Sequence, residues 1–155
     1  MSLRRLTVLA LFAAALTVPV TADGSPGVAV DGLRVTPPIG AFGAIEVGSC
    51  DLITYAGCKI KTFTLQNVGS EVTFIGGYGI EDPDPGNAAL VSGDATECGR
   101  LPLIGGYWAL APGSSCTISV AFATFTQGRV EAELRVWFTD QFSPIAVIPL
   151  AGVGI

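Results

Sequence analysis

The chain has 155 residues, of which 50% are hydrophobic and 14% charged, and it contains no histidine. This length predicts one domain with a short added segment, and high hydrophobicity with little charge excludes intrinsic disorder. The formal net charge of -5 argues against nucleic acid and anionic membrane surfaces as partners, because both attract basic protein faces. The absence of histidine excludes histidine-based catalytic triads and histidine zinc sites.

Residues 1–22 predict a secretory signal peptide. Two arginines near the start are followed by the almost entirely apolar stretch Leu6–Val20 and then by small residues up to Ala22. A membrane-spanning helix needs roughly 20 apolar residues, and this stretch is too short for one. We therefore expect cleavage after Ala22 and a mature single domain over residues 23–155 without a membrane span.

The rest of the chain predicts short β-strands separated by turns. The expected strands are Val28–Val35, Phe42–Val47, Lys59–Gln66, Val72–Ile80, Cys116–Phe122, Arg129–Phe138 and Ile145–Leu150. In Arg129–Phe138 apolar residues alternate with charged ones, which is typical of a half-buried antiparallel strand. In Lys59–Gln66 either side could face the core. Seven to eight such strands with frequent turn signals predict an all-β antiparallel sandwich.

Four cysteines follow the predicted signal peptide: Cys50, Cys58, Cys98 and Cys116. In an oxidising compartment an even number of cysteines predicts disulfides, and three pairings are possible. We favour Cys50 with Cys58 and Cys98 with Cys116, because each pair flanks one turn-rich excursion. A structural zinc site needs more closely spaced ligand pairs, so we expect neither a metal nor another cofactor.

Residues that could carry chemistry are few. Glu81, Asp82 and Asp84 form an acidic segment that suggests calcium, but the spacing does not fit an EF-hand loop, and an exposed loop is the better interpretation. No Gly-x-Ser-x-Gly motif is present, and nothing indicates a cleft with paired carboxylates. No catalytic residues are therefore expected. Lys59 and Lys61 are interpreted as solvated or edge-protecting charges.

Three aromatic residues are candidates for partner binding. Tyr107 and Trp108 lie in the segment that a Cys98–Cys116 disulfide would close, and Tyr and Trp are enriched at binding hot spots. The alternative is that Trp108 packs onto the core. Trp137 adjoins Phe138 on a predicted strand, so one of the two faces away from the core. An exposed Trp137 beside Phe125 or Phe142 would mark a contact surface.

Four motifs occur in one order along the chain: Phe42–Gly48, Phe63–Gly69, Leu110–Phe122 and Ile148–Gly154. Together they resemble the ASH (Aspm/SPD-2/Hydin) immunoglobulin-like domain, which is related to major sperm protein and often labelled choice-of-anchor D in bacteria. The resemblance implies an immunoglobulin-like sandwich, a role in adhesion or assembly, and no catalytic residues. In secreted bacterial relatives it also implies a cysteine pair that brackets the loop before the strand starting at Cys116, which fits Cys98 and Cys116. The excursion between Cys50 and Cys58 departs from the family pattern.

These observations predict a secreted, non-enzymatic binding or structural module of the bacterial cell envelope or surface, with a protein partner. Docking is expected through a loop at Gly105–Leu110, or by addition of a strand along an unprotected edge at Ile145–Leu150. Three alternatives stay open: an inhibitor of a protease or other enzyme that presents the Cys98–Cys116 loop, a carbohydrate-binding module, and a small hydrolase that uses Asp82 or Asp84.

Overall fold

A computed structural model describes residues 29–30, 32–51, 53–81, 87–91, 97–100, 102–137 and 144–155. The predicted signal peptide, most of the acidic segment, Phe138 and Phe142 lie outside the described residues. The described strands are β1 (Ala29–Val30), β2 (Leu33–Thr36), β3 (Gly40–Ile45), β4 (Lys59–Asn67), β5 (Thr73–Ile75), β6 (Gly77–Glu81), β7 (Asn87–Val91), β8 (Leu103–Ile104), β9 (Tyr107–Leu110), β10 (Ser115–Thr124), β11 (Gly128–Trp137) and β12 (Pro144–Gly154). A short 3-10 helix, Cys98–Arg100, precedes β8.

The strands form two main sheets and one small sheet. The first sheet has the order β1-β2-β4-β10-β7, and the second has the order β3-β12-β11-β6. The small sheet has the order β5-β9-β8 and is called the hairpin sheet below. The described pairings are antiparallel except that of β3 with β12, which is parallel. The all-β, immunoglobulin-like antiparallel sandwich predicted from the sequence is confirmed.

Side chains from the facing sides of the two main sheets form the core. On β11 the predicted inward positions are buried: Val130, Ala132, Leu134 and Val136. On β4 the structure settles the face that the sequence left open, because Phe63 and Leu65 are fully buried while Ile60 is exposed. The rings of Phe42 and Phe122 stack at 4.6 Å between their centroids and link β3 to β10. Burial of this apolar surface is the main driving force for the fold.

The structure has more strands than the sequence predicted, for two reasons: glycines divide two of the predicted segments, and three short strands were not predicted. Gly32, with a φ of 79°, separates β1 from β2. At Gly76 the chain leaves the hairpin sheet after β5 and enters the second sheet at β6, where the Gly76 N–H donates to the carbonyl oxygen of Trp137 at 2.9 Å. Strands β7, β8 and β9 were not predicted, since their five, two and four residues are too short to show a periodic pattern.

Both predicted disulfides are confirmed. Cys98 and Cys116, with Cα atoms 5.0 Å apart, join the 3-10 helix to β10 and are buried. Cys50 and Cys58, with Cα atoms 4.3 Å apart, close a small loop between β3 and β4. The first disulfide is thus part of the core, and the second holds a loop at one end of the sandwich.

Candidate functional site

Tyr107 and Trp108 lie on strand β9, so the prediction of a loop at Gly105–Leu110 was wrong. The loop is only the two-residue turn Gly105–Gly106, whose φ angles of 63° and 90° suit the tight hairpin between β8 and β9. Strand β9 pairs with β8 on one side and with β5 on the other. Since β5 and β9 are far apart in sequence, this pairing leaves no local pattern for sequence analysis to detect.

Trp108 faces inward and packs against the buried core. Its ring stacks on that of Tyr78, with the centroids 5.4 Å apart. Burial raises the pKa of the Tyr78 hydroxyl, which lies close to Gly99. Because Trp108 supports the junction of the hairpin sheet with the core, the structure agrees with the alternative that this residue is a packing residue.

Tyr107 lies on the opposite side of β9 from Trp108, because side chains alternate along a strand. It pairs directly with Ile104, and Ala109 on the same side pairs with Phe74. These four residues form an apolar surface, called the hairpin face here, in which Ile104 is 55% exposed. Leu103 and Val72, next to this surface in sequence, are also exposed. The hairpin face is therefore a candidate contact surface.

Trp137 is the last residue of β11 and is half-buried. Its ring packs over β6, and a Cβ built on Gly79 would lie 3.3 Å from two ring atoms. Phe125 is exposed but lies in the turn before β11, whereas Trp137 lies at its far end. Ten strand residues span about 30 Å, so Phe125 does not lie beside Trp137, and the condition stated for a contact surface is not met by this pair. The other suggested neighbour, Phe142, lies outside the described residues.

The outer side of the second sheet carries a small ion-pair network. Arg135 donates to the carboxylate of Glu133 at 2.7 and 3.0 Å and forms an ion pair with Glu81. The hydrogen bond to Glu133 and the nearby charge of Glu81 raise the pKa of Arg135 above its ordinary value. The ion pair between Arg135 and Glu81 joins β11 to β6, two strands that are already paired through their backbones.

Lys59 and Lys61, both interpreted from the sequence as solvated or edge-protecting charges, differ in their surroundings. Lys59 is exposed, as expected for a solvated charge. The ammonium group of Lys61 instead donates to the carbonyl oxygen of Ala41 at 2.8 Å. Because Ala41 belongs to β3, this bond links the two main sheets.

The sequence predicted an unprotected edge at Ile145–Leu150, but β12 is an edge strand over only part of its length. β12 lies between β3 and β11, and its pairing with β3 begins at Leu150. Before that residue, β12 pairs with β11 alone among the described strands. An apolar groove of about 360 Å³ lies beside this part of β12, lined by Val35, Pro38, Ile39, Ala146, Val147, Ile148 and Pro149.

The part of the chain that the structure describes has no group of three or more His, Cys, Asp or Glu residues placed to hold a metal ion. Most of the acidic segment suggested for calcium, including Asp82 and Asp84, lies outside it. Within the described ranges, no helix has the length and apolar character needed to cross a membrane.

No family model matches the sequence, and no curated protein matches it. Among solved structures, the chain is similar to the secreted serine protease VesC from Vibrio cholerae, with a TM-score of 0.51 and 15% identity over 74% of this chain and 21% of VesC. It is also similar to the ASH/PapD-like domain 7 of human CEP192, with a TM-score of 0.46 and 13% identity over 91% of this chain and 96% of that domain. A third similar structure is WR4, an MSP family member from C. elegans, with a TM-score of 0.41 and 6% identity over 80% of this chain and 98% of WR4.

The chain therefore spans about a fifth of VesC but nearly all of the two small domains. At these identities the likeness concerns the fold alone. The structural neighbours include ASH-type and MSP domains, the group that the sequence motifs resemble.

Proposed function

We propose that this chain is a non-enzymatic protein-binding module of the bacterial cell envelope or surface. Immunoglobulin-like sandwiches are common among cell-surface domains. Two disulfides join all four cysteines, as is usual for proteins of oxidising compartments. The signal peptide expected at residues 1–22 supports the same location.

The observation that carries this proposal is the hairpin face. In this surface Phe74 and Tyr107 are half-buried, and Ile104, which pairs with Tyr107, is exposed. Exposed apolar patches on a protein surface, when they are large, mark contacts with other proteins. The partner we propose is a folded protein with a complementary apolar surface, held by Tyr107 and Ile104.

The test is affinity capture with the oxidised chain against envelope and secreted proteins of its own organism. We expect one dominant partner, and binding that is lost in a variant carrying Ile104→Lys and Tyr107→Ala. The matched control is Val153→Lys, since Val153 is another exposed aliphatic residue but lies on the second sheet. Both variants should melt within a few degrees of the wild type. A partner that binds all three proteins equally would contradict the role of the hairpin face.

A second candidate mode is strand addition at β12. The backbone of Ala146–Pro149 pairs with β11 on one side, and the apolar groove lies beside it. An extended segment of a partner that pairs there would place alternate side chains in the groove. Val147→Pro, which removes a backbone donor and restricts the strand, would then abolish binding that the hairpin-face variant leaves intact.

The inhibitor interpretation receives less support. A loop presented to a protease must be exposed and extended, but within the Cys98–Cys116 segment Leu103–Ile104 and Tyr107–Leu110 are paired in the hairpin sheet. Inhibition in a panel of secreted proteases would revive this interpretation.

A further inference from the structure

Two cavities adjoin each other along strand β12. The apolar groove lies beside Ala146–Pro149, and a second cavity of about 460 Å³ opens on the outer side of the second sheet. Ile39 and Pro149 line both of them. The apolar wall is open to solvent, since Ile39 is 56% exposed and Val147 is 45% exposed. A ligand in the apolar groove can therefore extend directly into the second cavity.

The second cavity, called the charged cavity here, carries more negative than positive groups. Its charged lining residues are Glu81, Arg129, Glu131, Glu133 and Arg135. Arg129 forms an ion pair with Glu131, and Arg135 is shared between Glu81 and Glu133. Three carboxylates thus face two guanidinium groups, and one negative charge has no counter-charge among the lining residues. This imbalance favours a ligand with a basic group, because charge complementarity selects the partner.

The backbone of Val147 faces the side of β12 on which a further strand could be added. The N–H of Ile155 donates to the carbonyl oxygen of Ile45 in β3 at 2.9 Å, and the register of β12 with β11 is regular from Ala146 to Gly154. Backbone groups of alternate residues point to the same side of a strand, so Val147 turns its N–H and C=O toward the side of β3. Among the described strands none pairs with this side before Leu150. An extended segment of another chain could exchange two hydrogen bonds with Val147.

Side chains of such a segment would have to supply most of the affinity, since two backbone hydrogen bonds contribute little net free energy. They alternate between the two sides of the added strand. One set would enter the apolar groove against Val35 and Ile148, and the other would lie over Pro149. A lysine or arginine in the second set can lay its aliphatic stem along Pro149 and place its charge in the charged cavity.

We propose that β12 and its two cavities bind an extended segment of a partner protein in which alternate residues are apolar and one end carries a lysine or arginine. This inference rests on strand addition, the second mode of the proposed function, and names the chemistry of the segment bound there. A partner is favoured over a second copy of the chain, because the formal net charge of each copy is -5 and a two-fold contact would bring two charged cavities together.

The test is selection from a random library of displayed peptides about ten residues long, which span roughly 30 Å when extended. We expect the oxidised chain to enrich sequences with alternating apolar residues and a terminal lysine or arginine. A synthetic enriched peptide should shift the NMR amide signals of Ile39 and Val147, and Val147→Pro should abolish its binding. Enriched sequences without a basic preference, or a peptide that binds Val147→Pro equally well, would overturn the inference.

Charge reversal separates the charged cavity from the general acidity of the chain. Glu131→Lys combined with Glu133→Lys should bind the basic peptide at least about tenfold more weakly and should select acidic residues at the same end. The matched control is Glu46→Lys combined with Glu71→Lys, which changes the net charge equally at exposed positions outside both cavities. It should retain the basic preference. An equal effect of the two double variants, with unchanged melting temperatures, would contradict a role of the charged cavity.

Sedimentation of the chain alone tests the competing occupant. A dimer that dissociates in Val147→Pro would assign this side of β12 to a second copy and overturn the inference. If no peptide is enriched while a partner is captured through Ile104 and Tyr107, only this inference fails. If the chain neither enriches a peptide nor captures a partner, the proposed function fails with it.

Discussion

The side-chain amide of Asn67 donates a hydrogen bond of 2.9 Å to the carbonyl oxygen of Leu110, the last residue of β9. The same amide nitrogen donates to the carbonyl oxygen of Glu71 at 2.7 Å, and the amide oxygen accepts from the N–H of Gly69 at 3.0 Å. Asn67 is fully buried, so water does not compete for these bonds. One side chain thereby joins the end of β4, the turn after it and the hairpin sheet.

Replacement of Asn67 with Ala should lower the free energy of unfolding by about 2–4 kcal/mol, because buried polar groups would lose their partners. Urea denaturation of the oxidised protein measures this change. The control is Gln66→Ala, which alters the neighbouring, half-buried residue of β4 and should cost under about 1 kcal/mol. Equal losses in the two variants would show that the Asn67 bonds contribute little.

Asn67 also illustrates what sequence could and could not predict. The sequence marks Asn67–Ser70 as a turn, because Asn, Gly and Ser favour turns. The bond to Leu110 crosses 43 positions of the chain, and no local pattern encodes a contact of that range. By contrast, the buried face of β11 was predictable, since Val130 and Leu134 follow a strict alternation.

The candidate site, too, could be predicted from the sequence only in part. The sequence drew attention to Tyr107 and Trp108 by residue type, but it placed them in a loop. The pairing of β9 with β5 decides which of the two faces outward, and that pairing is a tertiary contact.

Tyr107 and Trp108 should respond differently to truncation. Trp108→Ala removes a ring that packs on the core and stacks on Tyr78, so we expect a loss of about 2–4 kcal/mol in the free energy of unfolding. Tyr107→Ala removes a side chain of the outward-facing surface and should cost under about 1 kcal/mol. Thermal and urea unfolding of both variants decide between these roles. A large loss for Tyr107→Ala would make that residue a packing residue as well.

The stability of the loop that Cys50 and Cys58 close should depend on pH through Asp51. The hydrogen bond from the Ile53 N–H, with further bonds from Thr54, lowers the pKa of the Asp51 carboxyl below its ordinary value of 3.8. The ionised carboxylate therefore stabilises the loop above that pH, and the contribution is lost as pH falls through the lowered pKa. NMR titration of the Asp51 carboxyl and of the Ile53 and Thr54 amide protons measures the midpoint of the titration. It should lie below pH 3.8.

Asp51→Asn is the matched control, since its side-chain oxygen can still accept both bonds but does not titrate. Its Ile53 and Thr54 amide shifts should stay constant over the same pH range. A midpoint at or above the ordinary value in the wild type would show that the hydrogen bonds from Ile53 and Thr54 to Asp51 are not maintained in solution.

The two disulfides should differ in their access to reductant. Cys98 is fully buried and Cys116 is 3% exposed, whereas Cys58 is half-buried in an exposed loop. A mild dithiol at neutral pH should therefore reduce the Cys50–Cys58 disulfide while the chain stays folded. Reduction of the Cys98–Cys116 disulfide should need partial unfolding, because thiol–disulfide exchange requires direct access to a sulfur atom.

Timed alkylation followed by mass spectrometry assigns the reduced cysteines. Loss of the Cys98–Cys116 disulfide should then lower the free energy of unfolding by about 3 kcal/mol, and loss of the Cys50–Cys58 disulfide, which closes a shorter loop, by about 2.5 kcal/mol. The double variant Cys50→Ser, Cys58→Ser serves as the control, since brief reduction should leave its melting temperature unchanged. Simultaneous reduction of both disulfides in the folded chain would mean that the hairpin sheet opens readily, because Cys98 and Cys116 would otherwise be shielded.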